Sequence, residues 1–509
     1  MKIPHFESLL RSSNVFWLMV LMIIMLLISS TAISATDISD SKISDQINNE
    51  LILDPAIFFN TIDVNTTEGI VTLSGNVNNI LAKNRATRIA ETVRGVRSVI
   101  NTIEVDPLID KSSGDLKKDV NNALIYDAAT NGYEIAVTAD DEGRIILTGT
   151  VDSWAERELS EKVAGSVSGV TAVTNNINIK PKSERADSEI KDEIEKRLHW
   201  DTLVDDSLIN VNVTNGKVYL SGAVGSAAEK RHAAINAWIS GVTVVDDSEL
   251  EVKIWARDDS LRKDKYVQRP DEEVQEAVKD AFIYDPRIYA FNLDVTVSNG
   301  IVTLRGVVDN IQAKKAAIRD ARHTVGVASV NSLIKVRPLA KFSDEEIAEQ
   351  IREALLRNPY IESHEIEVHV RNKIVYLEGV VDTYFEKGIA ENVAFRSSGV
   401  SDVRNSLTVA FPDVTTYDPY IYDWSVYDTP WYIGGFMTGK NDSELKSAIE
   451  NQLFWSPFID SDDVNISVEG GIATLTGKVD SLREYETAEE NAFEGGAIGV
   501  LNRIDIINE

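Results

Sequence analysis

The 509-residue chain contains no cysteine. That excludes disulfides, thiolate metal sites and a lipid-modified N-terminus, which needs a cysteine just after the leader. Small secreted eukaryotic arrays are usually stapled by disulfides, so a cysteine-free secreted chain fits a bacterial periplasm. Positive charge is also scarce: 51 Lys and Arg face 81 Asp and Glu, a formal net charge of −30. Such a surface repels nucleic acid, whose binding depends on neutralising phosphates with Lys and Arg, and it keeps a long array soluble. Histidine numbers only six: His5, His199, His232, His323, His364 and His369. His364 and His369, five apart on an expected strand, project to opposite faces and make no metal site. The pairs Asp205-Asp206, Asp258-Asp259 and Asp462-Asp463 lack the dense oxygen spacing of a calcium loop and are expected in solvated turns. Nothing pairs a serine with a base, and no Gly-rich loop opens a helix. The sequence therefore predicts neither enzyme nor cofactor.

A long apolar run occurs only once, at residues 16–28. Lys2 and Arg11 precede it and small residues from Ser29 to Ala35 follow. A basic start, a short apolar centre and a small-residue exit predict a signal peptide over 1–35, cleaved near Ser34 or Ala35. The run is shorter than the ~20 residues that span a bilayer, which leaves a retained inner-membrane anchor as the alternative.

What is abundant is repetition. Residues 69–96 read GIVTLSGNVNNILAKNRATRIAETVRGV, and residues 300–327 read GIVTLRGVVDNIQAKKAAIRDARHTVGV. The pattern Gly-x-Val-x-Leu-x-Gly-x-Val, a helical run and a Gly-Val pair recurs in weaker form four more times, and such periodicity decides the architecture. In the first copy, Ile43, Ile47 and Leu51 form one helical stripe, which Asp54-Pro55 stops. A strand near 62–64 follows. After a turn at 66–69, Val71, Leu73, Gly75 and Val77 alternate along a second strand. Ala82, Ala86, Ile89, Ala90 and Val93 form a second stripe that Gly95 ends, and Val99, Asn101 and Ile103 mark a third strand. The order is α-β-β-α-β. A tight hairpin makes strands one and two antiparallel, and the helical crossover makes two and three parallel. The expected fold is α+β, a tandem array of six units in which two helices cover a mixed three-stranded sheet. The glycine inside the second strand is read as a close-packing residue beneath the second helix.

Within each triplet the strand glycines recur every 73 or 74 residues, except that the last interval, Gly379 to Gly477, is about 25 longer. Copy one resembles copy four, two resembles five, and three resembles six, as expected of a duplicated triplet. The units are placed at 38–106, 114–181, 186–254, 270–338, 343–410 and 442–509. A charged linker at 255–269 is expected to be mobile and to join two compact triplets. An aromatic-rich linker spans 411–441, with Tyr417, Tyr420, Tyr422, Trp424, Tyr427, Trp431, Tyr432 and Phe436. It reads either as packing against neighbouring units or as a partner surface.

This order of elements, the unit length and the Val-Leu-Gly strand resemble the BON domain, the bacterial OsmY and nodulation domain, over nearly the whole chain beyond residue 35. The resemblance implies a secreted or envelope-associated module without a catalytic set, associated in the family with phospholipid attachment and in one branch with periplasmic chaperone behaviour. For lipid, the candidate residues are Lys83, Arg85 and Arg88 on the second helix of copy one, and Lys314, Lys315 and Arg319 on that of copy four. Three or four uncancelled charges supply roughly 3–4 kcal/mol toward an anionic surface, enough for weak, salt-sensitive attachment. The expected partners are an anionic phospholipid surface or periplasmic proteins.

Overall fold

Four-residue spacing of aliphatics does form the first helix of every unit. Ile43, Ile47 and Leu51 are buried in α1 (Asp40–Leu53). The same stripe is buried in α3 (Ser113–Tyr126), α5 (Asp187–Trp200), α7 (Asp271–Tyr284), α9 (Asp344–Arg357) and α11 (Asp442–Trp455). The second helices are α2 (Ile80–Glu91), α4 (Trp154–Gly165), α6 (Ala227–Ala237), α8 (Ile311–Arg322), α10 (Tyr384–Arg396) and α12 (Leu482–Glu494). Each begins at a side-chain cap, from Asn79, Ser153, Ser226, Asn310, Thr383 and Ser481 in turn. The cap oxygen satisfies a backbone N–H that the first turn leaves without a partner.

The structure, a computed structural model, describes residues 38–507 apart from 58–60, 131–133, 181–184, 259–260, 262–264, 286, 289–291, 340, 362–365 and 411–439. The leader, His364 and nearly all of the aromatic linker thus lie outside the described residues.

Every unit has the predicted sheet, with the second strand central, antiparallel to the first and parallel to the third. The third strand breaks in units 1 and 5. Both helices lie on one face, against central-strand residues such as Val71 and Leu73, which are fully buried. Each fully buried aliphatic contributes about 1.5–3 kcal/mol, so a unit's core rests on a dozen or so such side chains.

The strand glycine has a different cause from the one expected. Gly75 has φ +112°, and a Cβ there would lie 2.1 Å from the Thr61 carbonyl oxygen, on the neighbouring strand rather than under the second helix. Gly149, Gly222 and Gly477 likewise face the backbone oxygen of the residue just before the first strand, at 2.4, 2.0 and 1.9 Å. In unit 5, Asn372 and Lys373 take the turn's left-handed conformation at φ 52° and 65°.

The linker expectation is corrected. Residues 40–509 form one compact body, and the described residues of the 255–269 segment are held against it at Arg257 and Lys265. Residues Ile254–Arg257 form a 3-10 turn, and Arg257 donates to the carbonyls of Ser456 and Ile459 in unit 6, at 2.9 and 3.0 Å. Lys265 is 3% exposed and donates to the carbonyls of Leu198 and Val204.

Candidate functional site

The units dock through one repeated hydrogen bond. The N–H of the residue before the glycine that ends the second-helix segment donates to the last carbonyl of a first helix in another unit. Arg94 donates to Trp455, Ser168 to Arg357, Val325 to Trp200 and Ser398 to Tyr126, at 2.7–3.2 Å. These bonds pair unit 1 with 6, 2 with 5 and 3 with 4. Carbonyls left over at a helix C-terminus are thereby satisfied by a neighbour. Short antiparallel bridges at Asp127–Ser397 and Asp201–Thr324 reinforce two of the pairs, and Arg396 bonds the buried Asp127 carboxylate at 2.8 Å.

Within the first triplet the second helices meet each other. Arg231 of α6 pairs with Glu91 of α2 at 2.8 Å, and Trp154 stacks on Trp238 with ring centroids 5.4 Å apart. In the second triplet Arg322 of α8 pairs with Glu486 of α12 at 3.5 Å. Counted from the helix caps, Arg322 corresponds to Glu91 and Glu486 to Arg231. The same contact is kept with its charges exchanged.

The predicted basic residues lie in different surroundings, two of them paired within their own unit. Arg85 is 8% exposed and bonds Asp54 at 2.6 Å. Arg319 bonds Asp285 and Asp320 at 2.9 and 2.8 Å. The Lys315 ammonium lies 3.8 Å from the centroid of the Phe395 ring in unit 5, a favourable cation–π contact. Arg88 lines a cavity between units of the first triplet. Lys83 and Lys314 are half-buried at the surface.

Around the 3–4 junction, polar groups form a buried network. Burial raises the carboxyl of Asp320 to about 7 despite Arg319 beside it, and Asp285 adds to the rise. At Asp285 burial also acts upward, but Arg287 and Arg319 outweigh it and hold this carboxylate down. Arg197, Asp201, His323 and both carboxylates line a cavity of about 120 Å³ there. The Asp205-Asp206 pair is not a simple solvated turn: burial raises Asp206, but His199 and Lys265 overcome it and bring it to about 2. His369 is exposed beside Glu367, and among the described residues no group of His, Cys, Asp and Glu could hold a metal ion. No helix among them is long and apolar enough to cross a membrane.

Two features escaped the sequence reading. The Asp opening the first helix clasps the hairpin turn 29 residues on. Asp40 accepts from Glu68 and Gly69, and Asp187, Asp271, Asp344 and Asp442 do likewise in their units. The constant spacing was a usable signal. Unit 2 has Ser113 at the start of that helix, and its turn is held by its own Asp140. The other feature is an aliphatic residue that follows the buried stripe of the first helix and points outward. Ile52, Ile125, Ile283 and Leu356 are 62, 56, 61 and 59% exposed.

Six α-β-β-α-β units docked through their helix ends define a tandem array of small α+β domains. The BON domain matches residues 39–107, 112–181, 186–254, 270–338, 343–410 and 441–508, and the chain belongs to the BON domain family. It is 30% identical over 143 residues to Osmotically-inducible protein Y of Escherichia coli (strain K12), covering 27% of this chain and 71% of that protein. Against the Outer membrane lipoprotein DolP of Haemophilus influenzae it is 28% identical over 134 residues, 26% of this chain and 69% of the relative. Among solved structures, the C-terminal domain of CdsD, a type III secretion protein of Chlamydia trachomatis, matches at 17% identity and TM-score 0.11, covering 46% of this chain and 96% of that one.

Proposed function

We propose that this chain is a non-catalytic protein of the bacterial envelope that acts as one acidic six-unit body and holds other envelope proteins during osmotic or envelope stress. The names of its relatives, one osmotically inducible and one an outer membrane lipoprotein, support the setting. The observation that carries the binding role is the outward aliphatic repeated at Ile52, Ile125, Ile283 and Leu356. Single exposed apolar residues are ordinary, but recurrence at one repeat position sets these four apart. A second reading is attachment to anionic phospholipid through Lys83, Arg85, Arg88, Lys314, Lys315 and Arg319. It is favoured by the partial exposure of Lys83 and Lys314. Engagement of Arg85 and Arg319 by carboxylates, in a chain of net charge −30, weighs against it.

The two readings separate with exported protein purified from a periplasmic extract. Protein binding predicts that it suppresses aggregation of an unfolded client and that changing all four aliphatics to Ser removes the suppression at unchanged melting temperature. Phosphatidylglycerol vesicles should leave it in the supernatant at low salt. Pelleting that is abolished by reversing Lys83 and Lys314, with no effect on the client, would sink the first reading and favour the second.

A further inference from the structure

The second helices of units 1, 2 and 3 enclose a cavity of about 290 Å³, reached also by Arg287 of unit 4. Its walls hold Arg88, Lys162 and Arg231 against two carboxylates, Glu91 and Glu158, while Arg287 reaches it from its pair with Asp285. This is an unusual concentration of positive charge in a chain of net charge −30. We propose that the cavity is a binding site for a small organic anion bearing carboxylate or phosphate groups.

Three observations bear on this. Arg231 gives Nε to Glu91, while its Nη2 is buried with no hydrogen-bond partner among the described residues. A buried donor lacking an acceptor costs free energy that an entering anion recovers. Burial raises the carboxyls of both Glu91 and Glu158, Arg231 pulling the first back down and Glu161 pushing the second further up. Each is therefore a poorer counter-ion than an exposed carboxylate. Trp154, held by its stack on Trp238, supplies a rigid apolar wall. Ligand sites commonly combine such a wall with a few convergent polar groups, and the volume lies at the low end of their ~300–1,000 Å³ range. It suits a compact metabolite and is too small for a diacyl lipid.

The second triplet acts as an internal control. Counted from the helix caps, Arg231 is replaced by Glu486, Lys162 by Asn392 and Glu158 by Gly388, while Arg319, at the place of Arg88, is engaged by Asp285 and Asp320. The cation set exists once per chain, so the expected stoichiometry is one.

The test is isothermal titration of the exported full-length chain at constant ionic strength, with citrate and inorganic phosphate as separate probes and glycerol as a neutral one. The proposal expects saturable one-to-one binding of citrate or phosphate, no heat with glycerol, and at least tenfold weaker binding in both Arg231→Gln and Lys162→Gln. Lys162→Gln leaves the Glu91 contact intact, so it reads the site if Arg231→Gln fails to fold. Glu486→Gln, in the sister triplet, should bind as the parent does. Citrate preference would mark a carboxylate ligand and phosphate preference a phosphorylated one. Absence of saturable binding by either anion, or binding unchanged in Lys162→Gln, would overturn the proposal.

Discussion

At the scale of single residues, the strongest constraint lies where a side chain is missing. In unit 6 a Cβ on Gly477 would sit 1.9 Å from the Asp463 carbonyl oxygen, whereas one on Gly470 would meet nothing within 4 Å. Both have positive φ, 142° and 59°, so comparing them separates backbone strain from collision. Gly470→Ala should cost about 1 kcal/mol, the ordinary penalty for a left-handed alanine. Gly477→Ala should cost about 3 kcal/mol, because the neighbouring strand must also move. Denaturant midpoints of the two variants measure this, and equal losses would show that collision contributes nothing. The sequence marked this glycine as a packing residue but not its neighbour. A period of two assigns Gly75 to the buried face, yet its positive φ would aim a Cβ at the first strand. Positive φ leaves no trace in a hydrophobic pattern.

At the scale of elements, the repeat supplies its own comparison series. An Asn on the third strand, opposite the central leucine, bonds the second helix in four units. Asn101, Asn175, Asn405 and Asn502 donate to the carbonyls of Lys83, Arg157, Lys387 and Tyr485 at 2.8–3.0 Å. Their side-chain oxygens accept from the backbone two residues on. Unit 4 has Ser332 at this position, paired with Leu304, and its hydroxyl is buried without a hydrogen-bond partner among the described residues. Ser332→Asn should restore the strap and stabilise the protein by about 1 kcal/mol. Asn175→Ala should destabilise it by roughly 1–3 kcal/mol, since a buried carbonyl loses its donor. Thermal unfolding of both variants checks the pair; a stabilisation absent in Ser332→Asn would mean that the longer side chain does not fit. Helix stripes, strand alternation and the Gly-Val stop were all legible because each repeats with the period of its element. The strap and the Asp clasp join positions about 18 and 29 residues apart, and no periodicity reports such a pair. Only comparing the six copies position by position could have found them.

At the scale of the whole molecule, the units pair across the duplication, 1 with 6, 2 with 5 and 3 with 4. The sequence pointed to the duplicated triplet but implied two separate bodies, because the residues that join them sit on helix faces that read as solvated. Lys196 and Arg396 look like surface charges until Asp280 and Asp127 of the other triplet are brought to them. The exchanged pair Glu91–Arg231 and Arg322–Glu486 fits a contact under joint constraint. Arg231→Glu alone should destabilise the protein, and adding Glu91→Arg should recover most of that loss, as a double-mutant cycle in melting temperature would show. Simple additivity would mean that the pair does not couple.

The 3–4 junction makes this assembly sensitive to pH. Buried Asp320 titrates near 7 in the folded chain, against 3.8 as its ordinary value, because burial disfavours its charge and Asp285 opposes it. The groups facing it include Arg319, Arg287, Asp285 and Arg197. Between those two values the folded state holds a proton that the unfolded state releases, so this group's stabilisation is complete below about pH 4 and disappears as pH rises through 7. Arg319 keeps its acceptor if Asp320 becomes Asn, a permanent mimic of the protonated acid. Asp320→Asn should therefore match the parent below about pH 4, gain on it progressively up to about pH 7, and exceed it by on the order of a few kcal/mol near pH 8. Chemical unfolding across pH 5–8 tests this, and a difference that stays constant with pH would remove Asp320 as the titrating group. Because the backbone bonds of Thr202 and Val325 join units 3 and 4 beside this network, the same titration should appear as lower protection factors for amide exchange at Thr202 and Val325 as pH rises through 7, with those of the 2–5 contact at Ala128 and Ser398 unchanged.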